Sequence, residues 1–128
     1  MQACSGTLAA AFLAWHPAPV QAQAGADCVP GGNTAQTNAC AIKAFQEADT
    51  DNQILYGDVM RALSAHERPA LRKDQGEWTR HRIQHCKQAQ ADSEAQPDWP
   101  RRYHECLVQQ IKARDAALRH WLHRGPPR

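Results

Sequence analysis

The sequence predicts an all-α fold, three helices in an antiparallel arrangement stapled by two disulfides, and three observations carry that expectation. Apolar residues recur at three- and four-residue steps over three long stretches. β-Branched residues are few, and no period-two run or internal repeat competes. Beyond residue 24 the cysteines are Cys28, Cys40, Cys86 and Cys106, an even number in a short chain that reads as exported.

The 128 residues are 42% hydrophobic but only 6% aromatic, with a mean hydropathy of −0.69. Leu, Ile and Ala suffice for helices, but bulky core fillers are scarce. A domain of about 100 residues buries roughly two-thirds of its unfolded surface, so cross-links weigh heavily in its stability.

Leu8 to Val20 is apolar and uncharged, and Ala22-Gln23-Ala24 follows it with the small-x-small pattern of a signal-peptidase site. A signal peptide over 1–24 is expected, then one helical domain over 25–124 and a tail over 125–128. No Lys or Arg precedes Lys43, although a leader usually opens on one, so translation is expected to begin further upstream. An apolar run of about a dozen residues is too short to span a bilayer, so a periplasmic or secreted protein without a membrane anchor is expected.

Pro30-Gly31-Gly32-Asn33 marks an irregular start. Thr34 or Thr37 is placed to cap a first helix running to about Ala65, with Ile42, Phe45, Ala48, Leu55, Val59 and Leu63 on its apolar stripe and Tyr56 and Met60 beside it. Pro69 suits the first turn of a second helix, where Leu71, Gln75, Trp78, Arg82 and Cys86 share one face. Gln90 to Pro100 is polar, holds Pro97 and Pro100, and reads as a loop or broken helix end. A third helix is expected from about Arg101 to Leu122, its apolar side formed by Tyr103, Cys106, Leu107, Ile111, Ala117, Leu118 and Trp121, with Gly125-Pro126-Pro127 stopping it.

Four cysteines allow three connectivities. Cys28–Cys40 with Cys86–Cys106 is favoured because each bridge closes one short connection, though spacing alone does not choose among the three. The competing arrangement is a metal site in which His81 and His85, one helical turn apart, join His104 and Cys106. It is set aside because exported cysteines in even number usually pair.

Residues able to support catalysis are poorly placed. Ser64 and Ser93 have no motif around them, the cysteines are committed, and Asp49 with Asp51 or Asp92 with Glu94 read as solvating acids. No catalytic residue, metal or cofactor is expected. Arg72, Arg80, Arg101, Lys112 and Arg119 make the second and third helices basic. Fifteen Lys and Arg against thirteen Asp and Glu nevertheless leave only +2, which argues for solvated faces rather than nucleic-acid binding. Arg82 and Arg114 lie on or beside apolar faces, and Asp49 is the best-placed anion for them. Trp78 is expected in the core, with Gln75 bonding a helix end or neighbouring backbone.

Asp27-Cys28, Asn38-x-Cys40-Ala41, Phe45 with Ala48-Asp49, Tyr56, the ladder Leu71-x-x-x-Gln75-x-x-Trp78-x-x-x-Arg82-x-x-x-Cys86, then Cys106 and Arg114-x-x-x-Leu118 together resemble the LprI-type lysozyme-inhibitor family. The resemblance implies a small exported helical domain in which Asp49, Tyr56, Gln75, Trp78, Arg82 and Arg114 are structural. It also implies inhibition of lysozyme-type enzymes that cleave the peptidoglycan strand. Three departures stand out. Asn52-Gln53 occupies a usual Leu-Asn, Ile111 replaces a usual Thr, and two prolines precede Cys106 in place of a Gly-Ser segment.

The expected partner is therefore a protein, a lysozyme or other peptidoglycan hydrolase. The alternative is a non-inhibitory periplasmic interaction, immunity or accessory module. Many lysozymes are basic, whereas this chain has a pI near 8.4, so attraction has to be local. Candidate contact residues are Glu47, Asp51 and Asp58 on the first helix, and Asp92, Glu94 and Asp98 with Trp99, read as an exposed aromatic anchor, in the connection.

Overall fold

The computed structural model describes residues 25–125. The expected leader, and the tail from residue 126, lie outside the described residues. The order is α1 (Thr34–Ala62), α2 (Arg68–Ala89), a single 3-10 turn (Ala91–Ser93) and α3 (Trp99–Arg124), which is the all-α, three-helix class expected. Disulfides join Cys28 to Cys40 and Cys86 to Cys106, the favoured pairing of the three.

Each helix boundary has a local cause. Gly32 N–H donates to Val29 C=O at 2.9 Å, and Gly31 at φ 70 supplies the left-handed corner of this Pro30-Gly31 turn. Asn33, rather than Thr34 or Thr37, caps α1. Its side chain accepts from Gln36 N–H while the Gln36 side chain accepts from Asn33 N–H, each at 2.9 Å, a reciprocal capping box. α1 stops at Ala62, short of Ala65, because Leu63 turns extended at φ −76, ψ 151 and Ser64 bonds the Glu67 carboxylate instead. Arg68 Nε then donates to Met60 C=O at 2.8 Å, satisfying a carbonyl that the end of α1 leaves without a helical partner.

Pro69 sits in the first turn of α2, as expected. α3 begins at Trp99, before Arg101, because Pro100 in a first turn forfeits no helical hydrogen bond. The α3 N-terminus is capped from across the bundle. Asn38 Nδ2 donates to Pro97 C=O at 2.9 Å, and its Oδ1 accepts from Arg101 N–H at 3.2 Å. Gly125 at φ 72 ends α3.

Contact separations give the topology. Asn38–Arg101 and Asn52–Asp115 are both 63 residues apart, so α1 and α3 run parallel in constant register. Asp49–Arg82, Asn52–Gln75 and Met60–Arg68 close from 33 to 23 to 8 residues, so α2 returns antiparallel to α1 and, through Gln75–Arg114 and Cys86–Cys106, to α3. α1 packs most closely on α3, while the backbones of α1 and α2 approach each other at few points.

Along its axis the molecule is layered. At the α1–α2 turn Val59, Leu63, Leu71, Leu118 and Trp121 form the apolar core, with Leu55, Tyr56 and Met60 against it. At the other end buried Ala41, Leu107 and Cys86 meet the disulfides and a Phe45–His104 contact at 5.4 Å. Between them lies a polar layer. On α2 the expected inward face holds, with Leu71, Arg82 and Cys86 buried and Gln75 and Trp78 half-buried. On α3 Ala117 is exposed and Arg114 takes the inward position instead.

Candidate functional site

Asn52, Arg82 and Arg114 are the buried polar side chains among the described residues, and all three belong to the middle layer. Asp49 Oδ1 accepts from Arg82 at 2.6 Å, and its Oδ2 accepts from Gln53 at 2.8 Å. The Arg82 guanidinium carbon lies 4.7 Å from the Trp78 ring centroid and 5.8 Å from that of Phe45, so its charge is held by one carboxylate and two aromatic faces. Arg114 does not reach Asp49. It pairs with Asp74 at 2.7 Å, donates to Gln75 Oε1 at 2.7 Å and lies 5.5 Å from the Trp78 ring centroid.

Gln75, expected to bond backbone, instead links side chains. Its Nε2 donates to Asn52 Oδ1 at 3.1 Å, and Asn52 Nδ2 donates to Asp115 Oδ1 at 2.8 Å. One hydrogen-bonded chain thus runs from α2 through α1 to α3. Sequence reasoning missed Asn52, Asp74 and Asp115. Asn52 could have been found: a side chain only 1% exposed stands four residues after Ala48 and three before Leu55, on the apolar stripe itself.

The arrangement keeps α1 and α2 apart. Asp49, Gln53 and Tyr56 from α1 face Trp78, Thr79 and Arg82 from α2 across a cavity of about 430 Å³, with the Asn52–Gln75 pair between them. Six of the residues that carry the family resemblance therefore gather in one place. Asp49, Tyr56, Gln75, Trp78 and Arg82 line this cleft, and Arg114 buttresses Trp78.

The candidate contact residues divide into two groups that do not meet. Glu47, Asp51 and Asp58 are exposed along the outer side of α1, with Asp58 paired to Arg61. Ile54, 57% exposed, completes that face at steps of four, three and four. Asp92 and Glu94 are exposed in the connection, which lies beside Asn38 at the start of α1, about 13 Å or more along the axis from Glu47. Trp99 is not the free anchor expected, because it is half-buried and stacks on Tyr103 at 4.8 Å and 8°.

Asp98 is likewise occupied, by Arg101 at 3.0 Å and Arg102 at 2.8 Å. The Arg102 hydrogen bond holds its carboxyl below the ordinary 3.8, opposed by desolvation and reinforced by the charges of Arg102 and Arg101. A carboxyl that is the stronger acid when folded stabilises the fold fully above its unfolded value and loses that contribution as pH falls through the folded one. Asp98→Asn is therefore expected to lower Tm slightly at neutral pH, where the contribution is fully present, and to converge with the unmodified protein as pH falls below about 4, which flattens part of the acid fall in Tm; thermal melts across an acid series read both.

His81 and His85 have ring centroids 6.0 Å apart on the exposed side of α2. His104 Nδ1 lies 2.6 Å from Pro100 C=O, and Cys106 is oxidised. Among the described residues no group of three or more His, Cys, Asp or Glu is arranged to hold a metal ion. No described helix is long and apolar enough to cross a membrane.

The family model described as "Lysozyme inhibitor LprI" matches residues 26–118. The chain belongs to the LprI lysozyme-inhibitor family. No curated protein and no solved structure matches it. The LprI match takes in both disulfides, every member of the polar layer and all of the apolar core but Trp121. The LprI family is named for inhibition of lysozyme, which is itself a protein.

Proposed function

We propose that the protein is an exported inhibitor of a lysozyme-type peptidoglycan-cleaving enzyme and acts by occluding the enzyme's substrate cleft. The observation that carries this reading is family membership over residues 26–118. Two disulfides in a small chain suit an oxidising compartment, and a leader over 1–24 cleaved after Ala24 would deliver the 25–124 domain with its short tail to the periplasm or outside the cell.

The contact surface is the outer side of α1. Glu47, Asp51 and Asp58 surround exposed Ile54, an apolar anchor inside an anionic rim suited to a cationic cleft. Local acidity there offsets the overall +2 charge. Asp92 and Glu94 form a separate acidic point at the opposite end of the molecule and belong to the rim at most.

The test is lysis of a peptidoglycan suspension by a c-type lysozyme, with and without excess oxidised protein. Dose-dependent loss of lysis, abolished on reduction, is expected. Glu47→Lys with Asp51→Lys should weaken inhibition about tenfold or more, mainly through slower association at low salt, and Ile54→Ala about fivefold. No protection against several lysozyme types would overturn the reading. Inhibition that survives all three substitutions would move the contact surface elsewhere.

A further inference from the structure

The cleft between α1 and α2 plays no part in the α1 surface just described, yet it is the most elaborately built feature of the molecule. A layer of buried ionic and amide groups is a costly way to fill a core this small, since apolar residues of similar volume often serve stability as well or better. Here the layer gives the cleft fixed walls. Asp49 is held from two sides by Arg82 and Gln53, Gln75 by Asn52 and Arg114, and the Trp78 indole by the two guanidiniums beside it. Walls already ordered lose little entropy when a ligand enters.

Volume and chemistry indicate the ligand class. About 430 Å³ falls within the roughly 300–1,000 Å³ of small-molecule sites. The charges of the lining cancel, because Asp49 pairs with Arg82 at 2.6 Å, and an ionic ligand would find no net counter-charge. What the walls offer is the rings of Trp78 and Tyr56, together with the Tyr56 hydroxyl, the Trp78 indole N–H, the Gln53 carbonyl oxygen and the Thr79 hydroxyl oxygen. Among the described residues the bonds of this cleft leave those four groups uncommitted as donors or acceptors, and with them the buried Arg82 Nε–H, which has no partner. Aromatic surface interleaved with neutral donors and acceptors, at zero net charge, matches the C–H faces and hydroxyl or acetamido groups of a sugar.

We infer that the α1–α2 cleft binds a neutral saccharide, packed on Trp78 and Tyr56 and hydrogen-bonded by the Tyr56 hydroxyl, Gln53 and Thr79. The Asp49–Arg82 pair, Asn52 and Gln75 position these groups.

The experiment is a nitrogen-15 NMR titration of the oxidised protein with the neutral N-acetylglucosamine trimer, and separately with a glucuronate-containing oligosaccharide of similar size. The trimer should shift the Trp78 indole N–H resonance saturably and bind several-fold tighter than the charged sugar. Tyr56→Phe and Gln53→Ala, each confirmed folded by its melt, should weaken it about threefold to tenfold, as the loss of one neutral hydrogen bond does, while Ile54→Ala leaves it unchanged. No saturable Trp78 shift with the trimer or with glucose oligomers, tighter binding of the charged sugar, or affinity indifferent to both cleft variants would overturn the inference. The titration contains no enzyme, so it stands or falls separately from lysozyme inhibition.

Discussion

Asp49→Ala is expected to destabilise the fold by about 3 kcal/mol, the low end of the range for breaking a buried ion pair. The Asp49 and Arg82 side chains are 22% and 11% exposed, so the substitution leaves a guanidinium largely out of water without its anion. The Trp78 and Phe45 faces remain beside it and hold the cost below the upper end. The partner substitution discriminates between an ion pair and mere packing. Asp49→Leu with Arg82→Met removes both charges while keeping much of the volume, and it should cost less than Asp49→Ala alone, within about 1 kcal/mol of the unmodified protein. Urea unfolding followed by circular dichroism gives these values, with Asp49→Leu and Arg82→Met alone completing the cycle. A double variant that loses the sum of those two single substitutions would show that the charges do not act on each other.

The same layer marks where the sequence stopped being readable. Three- and four-residue steps are local, and they placed the face of α2 from Leu71 to Cys86, the position of Pro69 and the extent of the polar connection. Which polar groups meet across helices depends on axial register and rotation, and periodicity contains neither. Asp49 was correctly matched to Arg82, because one anion and one cation faced inward on neighbouring helices. Arg114 was matched to the wrong anion, because Asp74 lies off the stripe of α2 and reaches inward only through its own side chain. The Asn38 cap is hidden for the same reason, since it serves a helix that starts some sixty residues later. The Asn33 cap is not: its capping box with Gln36 is local, three residues apart, and the Asn33-x-x-Gln36 spacing shows it in the sequence.

The candidate site was legible as a set of residue types but not as a place. Asp49, Tyr56, Gln75, Trp78, Arg82 and Arg114 were all singled out on their resemblance to the family pattern, yet their convergence on one cleft follows from α1 and α2 standing apart, which composition does not encode. Exposure was legible for Glu47, Asp51, Asp92 and Glu94, each on a polar face or in the loop. It was misjudged for Trp99 and Asp98, since a residue next to Pro100 read as loop, whereas the proline opens α3 and swings both against their helical neighbours Tyr103, Arg101 and Arg102.

Cys86→Ser should lower stability by about 3 kcal/mol, which for about 100 ordered residues is a fall in Tm of roughly 15 °C. The bridge closes a 20-residue separation over a connection, Gln90 to Pro100, that buries no side chain fully. Without the bond little apolar contact holds the end of α2 to α3, because the hydrophobic core lies at the opposite end of the bundle. Cys86 is itself fully buried, so a serine hydroxyl there adds a desolvation cost, and Cys86→Ala separates the two contributions by removing the bond without adding the hydroxyl. Cys28→Ser is the contrast. It opens a 12-residue separation of similar chain-entropy value, but residues 25–31 are exposed and belong to no core, so their release leaves the three-helix frame intact. The expected order of melting temperatures is therefore unmodified protein, Cys28→Ser, Cys86→Ala, Cys86→Ser. A melt unchanged by either Cys86 substitution would show that the polar layer and the apolar end hold α2 against α3 without the bridge.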